Sequence, residues 1–318
     1  MSFENPKKQG SLESASSSMG RGETPDQLAR LADVRIQVEK SLRPADQPSL
    51  LENGITVGDD YRILRLIAEG GMSDIYEATH PQNGNVALKV VHNENIKDLD
   101  RLGAEAEIMS KLKHENIAGV YSSFNHGPHF FVAMELLGRS LSHGEFSEKY
   151  RKLAEVFSSL ARASYYIHGQ GILHRDLTPE NVLFSGDTPK IIDFGLAVSY
   201  RDNQEVLTPK TGLGTICYVS PEQAEGAEPV GPQSDIYSLG AMLYECLAKQ
   251  PRFKLLSWGN AVDVLREHTP IPPSSFNKNV PEALDAICMK CMEIRPEDRY
   301  ATANDLALAL DSFSQNFN

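Results

Sequence analysis

Length, composition and charge indicate a globular protein and exclude several broad classes. The chain has 318 residues, enough for one or two domains, and its 41% hydrophobic and 23% charged residues are ordinary for a soluble protein. A net charge of −12 argues against a general nucleic-acid-binding protein, which needs basic patches. Four cysteines fit a reducing compartment, no apolar run is long enough to span a membrane, and the polar N-terminus is not a signal peptide. We therefore expect a cytoplasmic protein.

The N-terminal region divides into three segments of different composition. Residues 1–23 are rich in Ser, Gly, Lys and Glu and are predicted to be a disordered tail, because they cannot bury enough apolar surface to offset their ordering entropy. Residues 24–43 begin with a helix-capping sequence and continue with apolar residues at three- and four-residue spacing, which predicts one amphipathic helix. This helix either only stabilises the adjacent domain, or regulates it by docking or by pairing two chains. Residues 44–58 hold two prolines and are predicted to be a linker.

Short strand patterns dominate the chain from residue 61 to residue 135. Arg62–Ile67 and Asp74–Ala78 are predicted to form the two strands of a hairpin around a glycine-bearing turn at residues 68–73. Val86–Val91 is a β-branched strand with one embedded lysine. Further predicted elements are a helix within residues 101–111, a strand at His129–Glu135, a helix at 147–168, a buried helix that begins at Ser234, and a last helix that carries Leu306, Leu308 and Leu310.

Two polar motifs in the middle of the chain carry the chemistry. Residues 174–181 read H-R-D-L-T-P-E-N, and twelve residues after Asn181 comes Asp193-Phe194-Gly195, preceded by a short apolar strand pattern. Two carboxylates and one amide on adjacent loops can hold a metal–triphosphate complex and a hydroxyl nucleophile in line. Phosphoryl transfer requires mainly such positioning and charge neutralisation from a protein.

These two motifs resemble the catalytic loop and the metal-binding Asp-Phe-Gly of the protein kinase family. The resemblance implies an α+β, bilobal fold over residues 59–313, with a mainly β small lobe at about 59–135 and a mainly α large lobe at about 138–313. It also implies ATP and Mg²⁺ as cofactors and serine or threonine side chains of proteins as substrates. Gly-Gly-Met-Ser at 70–73 and Ser-Pro-Glu-Gln at 220–223 resemble bacterial members of this family.

The resemblance assigns roles at the reacting phosphate. Asp176 would accept the proton of the substrate hydroxyl, and Asn181 and Asp193 would ligate Mg²⁺. Lys89 would contact the α- and β-phosphates, oriented by an ion pair with Glu105 on the next helix. Glu107 is the competing acid, but two residues along a helix lie on different faces.

The resemblance also implies a nucleotide pocket between the lobes. Met134 would be the gatekeeper, and backbone groups of Glu135 to Leu137 would recognise adenine. The glycine-rich turn departs from the family pattern because Ala68 and Ser73 replace two of its glycines, so that only Gly70 matches. The remaining residues expected around the adenine ring are Ile67, Ile75, Ala87 and Leu183.

The segment from Asp193 to Glu222 resembles the activation segment of serine/threonine kinases. Arg175 would bind a phosphate on this segment, most favourably on Thr211 and secondarily on Thr208, although both are unmodified in the alternative interpretation. Three residues are assigned structural roles by the resemblance. Asp235 would anchor the catalytic loop, and Glu222 would pair with Arg299.

One departure leaves a second function open. Most serine/threonine kinases have a lysine two residues after the catalytic aspartate, and Thr178 stands there instead. The chain is therefore expected to be a slow autophosphorylating kinase, with a pseudokinase that acts as an ATP-binding scaffold or switch as the alternative. A small-molecule kinase is disfavoured because the segment from Thr215 to Glu222 resembles a peptide-docking floor. Cys288 and Cys291 have CxxC spacing, but without a second ligand pair they are expected to be buried structural residues.

Overall fold

The structure is a computed structural model. It describes residues 51–70, 73–91, 103, 106–107, 109–143, 149–193, 198–199, 215–226, 230–252, 265 and 270–317. The predicted tail at residues 1–23, the predicted helix at 24–43, and the predicted roles of Glu105, Thr208 and Thr211 lie outside the described residues.

A six-stranded sheet forms the N-terminal part of the described chain. All of its pairings are antiparallel, and the strand order is β1-β2-β3-β4-β6-β5. Alternating burial along Ser73–His80 explains why this sequence forms a strand, since every second side chain faces the core. The bounds are β1 Thr56–Val57, β2 Tyr61–Glu69, β3 Ser73–His80, β4 Gly84–Val91, β5 Val120–His126 and β6 His129–Glu135.

The core of this sheet is built from side chains that meet across neighbouring strands. Tyr76, Leu88 and Phe131 are fully buried, and the Phe131 ring stacks on Phe124 with centroids 5.2 Å apart. Helical residues around Met109 belong to a second, larger core, which continues into the C-terminal part.

Helices make up most of the C-terminal part. The apolar face of the first helix, which includes Leu153, Phe157 and Leu160, is buried against the last helix and the central helix. Pro begins the second and third helices at a position where its missing N–H costs nothing. The α-helices whose bounds lie within the described residues are α1 Tyr150–Gly169, α2 Pro221–Glu225, α3 Pro232–Ala248, α4 Glu282–Cys291 and α5 Ala303–Asn316.

Helices α3 and α4 approach closely at Gly240. A Cβ atom added there would lie 2.4 Å from Cβ of Cys291, so only glycine fits this crossing. Cys288 and Cys291 are both fully buried, and burial raises the pKa of both thiols. Among the described residues, no three His, Cys, Asp or Glu side chains are grouped as they would be around a metal ion. The CxxC spacing therefore belongs to a helix-packing surface.

Two short sheets lie beside the helices and carry the loops of interest. Strand β7 (Ile172–Leu173) pairs with β10 (Val198–Ser199), and β8 (Val182–Ser185) pairs with β9 (Thr188–Ile191). A bridge from Ile117 to Ile191 ties β9 to the segment that leads into β5. The segment from residue 174 to residue 181 therefore connects β7 to β8, and Asp193 lies two residues after the end of β9.

Candidate active site

Asp235 fixes the backbone of the loop between β7 and β8. Its carboxylate lies at the start of α3, fully buried, and accepts hydrogen bonds from the N–H groups of His174 (3.0 Å) and Arg175 (2.9 Å). It also contacts Nε2 of His168 at 2.8 Å. Burial alone would raise the pKa of Asp235, but the hydrogen bond from His168 and the charges of the two histidines hold it below the usual value. The loop is therefore anchored by an ionised acid.

Two residues of the site adopt left-handed backbone conformations. Arg175 has φ of +66° and Asp193 has φ of +58°. Such a conformation costs a residue with a side chain roughly 1–2 kcal/mol, so it persists only where the surroundings impose it. At Arg175 the bond to Asp235 supplies part of that constraint.

Asp176 is largely buried and only partly satisfied. Nδ2 of Asn181 donates to the backbone carbonyl of Asp176 (2.8 Å) and to its Oδ2 (3.2 Å). Its Oδ1 is buried and has no hydrogen-bond partner among the described residues. Burial, then the nearby charge of Asp193, raises the pKa of Asp176 to about 7, against the opposing effect of the Asn181 bond. One carboxylate oxygen is thus left to receive a bond from a molecule outside the chain.

An ion pair between Lys89 and Asp193 connects the small lobe to the large lobe. Lys89 lies on β4, where it pairs with Ile75 on one side and Val132 on the other, and its Nζ is 3.1 Å from Oδ1 of Asp193. The lysine side chain is 13% exposed and the aspartate side chain 38%, so the aspartate faces the more open side.

Glu107 is excluded as a further partner of Lys89. It is an exposed residue whose carboxylate lies 2.6 Å from Lys111, four residues later on the same helix. The hydrogen bond and charge of Lys111 lower the pKa of Glu107. The predicted partner, Glu105, is outside the described residues.

The donor atoms at this site fit a hard divalent cation. Because Asn181 uses its Nδ2 for Asp176, its Oδ1 is directed elsewhere, and no described residue bonds to that oxygen. An amide oxygen together with the partly exposed carboxylate of Asp193 is the kind of ligand pair that Mg²⁺ shares with phosphate oxygens. Such a cation would need further oxygens from a phosphate or from water.

The predicted adenine-facing residues are incompletely buried apolar groups. Ile67 is 42% exposed, and Ile75, Met134 and Leu183 are half-buried, whereas Ala87 is 8% exposed. Partly exposed apolar side chains of this kind gain burial when an aromatic ring covers them.

Glycine is required at position 70 for a local reason. A Cβ atom there would lie 2.8 Å from the backbone oxygen of Ser73, which is too close for any side chain. The turn between β2 and β3 therefore keeps a bare backbone at Gly70, although the family's other two glycines are replaced.

The segment after β6 contains a backbone N–H group without a partner. Leu137 belongs to no helix or strand, and among the described residues its N–H has no hydrogen-bond partner. The next residue, Gly138, donates to the carbonyl of Phe184 at 2.8 Å. An unpaired N–H at this edge is available to a planar heterocycle.

A side-chain contact of Glu135 was missed by the sequence analysis. Its Oε2 lies 3.1 Å from Nζ of Lys190 and accepts a bond from the N–H of Gly119 (3.3 Å). The ion pair joins the end of β6 to β9, the strand that leads to Asp193. An acid at residue 135 and a lysine at residue 190 were visible in the sequence, but nothing local connects them.

Arg299 and Glu222 form a buried bidentate pair. The two N···O distances are 2.7 and 2.9 Å, and the arginine side chain is fully buried. Ser234 donates to the same carboxylate at 2.5 Å. Burial alone would raise the pKa of Glu222, but the bonds and charge of Arg299, with the Ser234 bond, hold it below the usual value. This pair anchors α2 to the C-terminal helices.

A second contact missed from the sequence is made by the neighbouring Gln223. Its Nε2 donates to the backbone carbonyl of Arg175 at 3.1 Å, 48 residues earlier in the chain. Gln223 belongs to the Ser-Pro-Glu-Gln motif at residues 220–223, but the motif gives it no partner, and nothing local in the sequence points to Arg175.

Comparison with known proteins agrees with this geometry. A family model described as protein kinase domain matches residues 61–308. The serine/threonine-protein kinase PknB of Mycobacterium leprae is 32% identical over 266 residues, which cover 79% of this chain and 42% of that protein. A probable serine/threonine-protein kinase of Clostridium acetobutylicum is 30% identical over 278 residues, 83% of this chain and 41% of that protein. The chain spans less than half the length of these relatives.

Solved structures give the same fold. The Mycobacterium tuberculosis PknI kinase domain superimposes with a TM-score of 0.63 and 22% identity, covering 82% of this chain and 99% of that one. A single-residue mutant of the same domain gives a TM-score of 0.63 and 23% identity, covering 82% of this chain and 98% of that one. The prediction of an α+β fold with a sheet-rich small lobe and a helical large lobe is confirmed.

Proposed function

Since the chain belongs to the protein kinase family, we propose that it is a serine/threonine protein kinase that transfers the γ-phosphate of ATP to hydroxyl groups of protein substrates. One observation carries the proposal. Asp176, bonded to Asn181, lies in one site with the Lys89–Asp193 ion pair, and the described chain leaves an oxygen of both Asp176 and Asn181 without a partner. These are the groups that phosphoryl transfer needs to position.

ATP would bind with its adenine at the segment after β6. The open N–H of Leu137 would donate to the ring, and the half-buried side chains of Ile75, Met134 and Leu183 would cover its faces. The bare backbone at Gly70 would lie over the phosphates, where N–H groups can approach closely. Lys89 would hold the α- and β-phosphates.

Mg²⁺ would be held by Asn181 and Asp193, where it would neutralise the charge of the phosphates. The chain's own contribution to that site is orientation. Asn181 is fixed by two bonds to Asp176, and Asp193 is kept in its left-handed conformation on the end of β9.

Asp176 would orient the substrate hydroxyl and accept its proton. Its open Oδ1 is the acceptor for that hydroxyl, and the raised pKa makes the carboxylate a stronger base than an exposed aspartate. Thr178 is buried and uncharged, so the positive charge that the family pattern places near the γ-phosphate is missing. We expect a slow enzyme for this reason.

Regulation is proposed from residues outside the described part of the chain. Phosphorylation of Thr211, or of Thr208, would bring an anion to Arg175 and order the segment that follows Asp193. The predicted helix at 24–43 would regulate the kinase by docking or by pairing two copies, which deletion of residues 1–43 and measurement of molecular mass would test. Within the described residues, no helix combines the length and apolar character needed to cross a membrane; a cytoplasmic location is part of the proposal.

The experiment that tests the proposal is phosphate transfer from Mg-ATP to a mixture of Ser, Thr and Tyr peptides, followed by mass-spectrometric mapping. We expect label on Ser and Thr peptides and on Thr211 or Thr208 of the protein itself, and none with Asp193→Ala. ATP binding without transfer would favour a pseudokinase scaffold. Label on Tyr peptides alone would contradict the serine/threonine assignment.

A further inference from the structure

The peptide group between Arg175 and Asp176 is held at both of its polar ends. Its carbonyl accepts the bond from Nε2 of Gln223 (3.1 Å), and its N–H donates to Nδ1 of His174 (3.3 Å). Arg175 has φ of +66°, a conformation that a residue with a side chain keeps only under constraint. Losing the Gln223 bond would free this peptide group to rotate, and the Asp176 carboxylate would move with it.

The Gln223 amide is itself fixed in one orientation. The hydroxyl of Ser220 donates to Oε1 of Gln223 (3.0 Å) and accepts from the backbone N–H of Gln223 (3.4 Å). Ser220 is fully buried and Gln223 is 5% exposed. Because Oε1 is engaged as an acceptor, the NH₂ group of the amide is the one that faces the Arg175 carbonyl.

The helix that carries Gln223 is rigidly anchored on its other side. The preceding residue, Glu222, is held by Arg299 and by Ser234. Gln223 therefore links α2, which lies at the end of the predicted activation segment, to Arg175, the residue that precedes Asp176.

We propose that Gln223 is a positioning residue for Asp176, acting through the Arg175 carbonyl; this inference rests on the proposed kinase function. Gln223 is buried beneath the catalytic loop and makes no contact with Lys89, Asn181 or Asp193 among the bonds of the described residues. Its loss therefore changes the orientation of the base and leaves the nucleotide contacts in place. We therefore expect loss of Gln223 to lower kcat and to leave the KM for ATP nearly unchanged.

The direct test is Gln223→Met, which keeps the length of the side chain and removes its hydrogen bonds. We expect kcat to fall about 10- to 100-fold, the range for a buried carbonyl left unsatisfied next to a catalytic group, with the KM for ATP within about twofold. The matched control is Gln233→Met, because Gln233 also donates to a large-lobe carbonyl, that of Ala301, at 3.0 Å. Equal kcat values for the two variants would overturn the proposal.

A double-mutant cycle with Ser220→Ala tests the orienting role of the serine. Ser220→Ala should lose less kcat than Gln223→Met, and the double variant should be no slower than Gln223→Met alone. Losses of the two single variants that simply add would show that Ser220 does not act through Gln223, and would overturn this part of the proposal.

Amide hydrogen exchange of residues 172–178 supplies a readout that does not depend on activity. Exchange should be faster in Gln223→Met than in the wild type and in Gln233→Met. If the wild type transfers no phosphate, the proposed function fails, and the exchange data still decide whether Gln223 holds this loop. Unchanged exchange in Gln223→Met would contradict the positioning role.

Discussion

Two regions of this molecule satisfy their polar groups very differently. The anchor region consists of Asp235, Glu222 and Arg299, and the nucleotide-facing region consists of the catalytic loop around Asp176 and Asn181, with Asp193 and Leu137. In the anchor region, Asp235 contacts three donors, and Arg299 directs its guanidinium at the Glu222 carboxylate and at backbone carbonyls. In the nucleotide-facing region, the described chain leaves Oδ1 of Asp176 and the N–H of Leu137 without partners.

The difference separates groups that hold the fold from groups that await a ligand. A buried polar atom without a partner costs free energy, so one that lies at a candidate site is a group to which a bound ligand would supply the bond. Substitutions in the anchor region should therefore cost stability, and substitutions in the nucleotide-facing region should cost activity while leaving stability equal or higher.

The largest expected effect is that of Asp176→Asn. Without the base, kcat should fall about 10³-fold, within the range for general base catalysis. In metal-free buffer the Tm should be equal to or above that of the wild type, because burial and the charge of Asp193 disfavour the ionised carboxylate and raise its pKa. Thermal unfolding and steady-state kinetics check both halves. A large drop in Tm would contradict this prediction and would show that Asp176 stabilises the fold, as the residues of the anchor region do.

Glu222→Gln should give the opposite pattern. Breaking a buried ion pair leaves Arg299 uncompensated and should lower the free energy of unfolding at pH 7 by about 3 kcal/mol. Because the folded-state pKa of Glu222 is below its ordinary value of 4.5, the ionised form stabilises the protein above that pH. The difference from the wild type should shrink as pH falls through the folded-state pKa, as denaturant titrations can follow. A difference that does not depend on pH would exclude the charge as its cause.

Thr178→Lys should increase the catalytic rate of the nucleotide-facing region. A positive charge near the γ-phosphate should raise kcat about tenfold, equivalent to ~1.4 kcal/mol of transition-state stabilisation. Thr178→Met is the control for side-chain size without charge. Turnover equal to or below the wild type in Thr178→Lys would contradict the explanation of slow catalysis.

The smallest expected effect concerns the Glu135–Lys190 pair. This pair is partly buried, with side-chain exposures of 25% and 14%, so Lys190→Met should lower the free energy of unfolding by about 1 kcal/mol. Lys111→Met removes an ion pair in which both side chains are well exposed and should change it by less than about 0.5 kcal/mol. Equal effects in denaturant titrations would show that the Lys190 contact does not link β6 to β9.

Local patterns in the sequence predicted the elements well and their ends less well. The strand predicted at Arg62–Ile67 extends over Tyr61–Glu69, and the helix predicted at residues 147–168 covers Tyr150–Gly169. Leu306 and Leu310 are buried on α5 as a helical period of four requires, whereas Leu308, two residues from each, is 55% exposed.

The site was predictable where its residues belong to contiguous motifs. Asp176, Asn181 and Asp193 could be named from the catalytic loop and the Asp-Phe-Gly, and their mutual contacts follow from two adjacent loops. The bonds of Gln223 to Arg175 and of Glu135 to Lys190 could not be predicted, because each depends on how distant elements pack. Neither hydrophobic periodicity nor a helix-capping motif predicts a contact between such distant residues.

The central claim is that phosphate transfer at the nucleotide-facing region requires Asp193. The most direct measurement is the initial rate of label transfer from γ-labelled Mg-ATP to a threonine peptide. Wild type, Asp193→Ala and Asp187→Ala should be compared, because Asp187 is an exposed aspartate in the β8–β9 turn. We predict equal rates for the wild type and Asp187→Ala and no detectable transfer by Asp193→Ala. Transfer by Asp193→Ala at the wild-type rate would contradict the account.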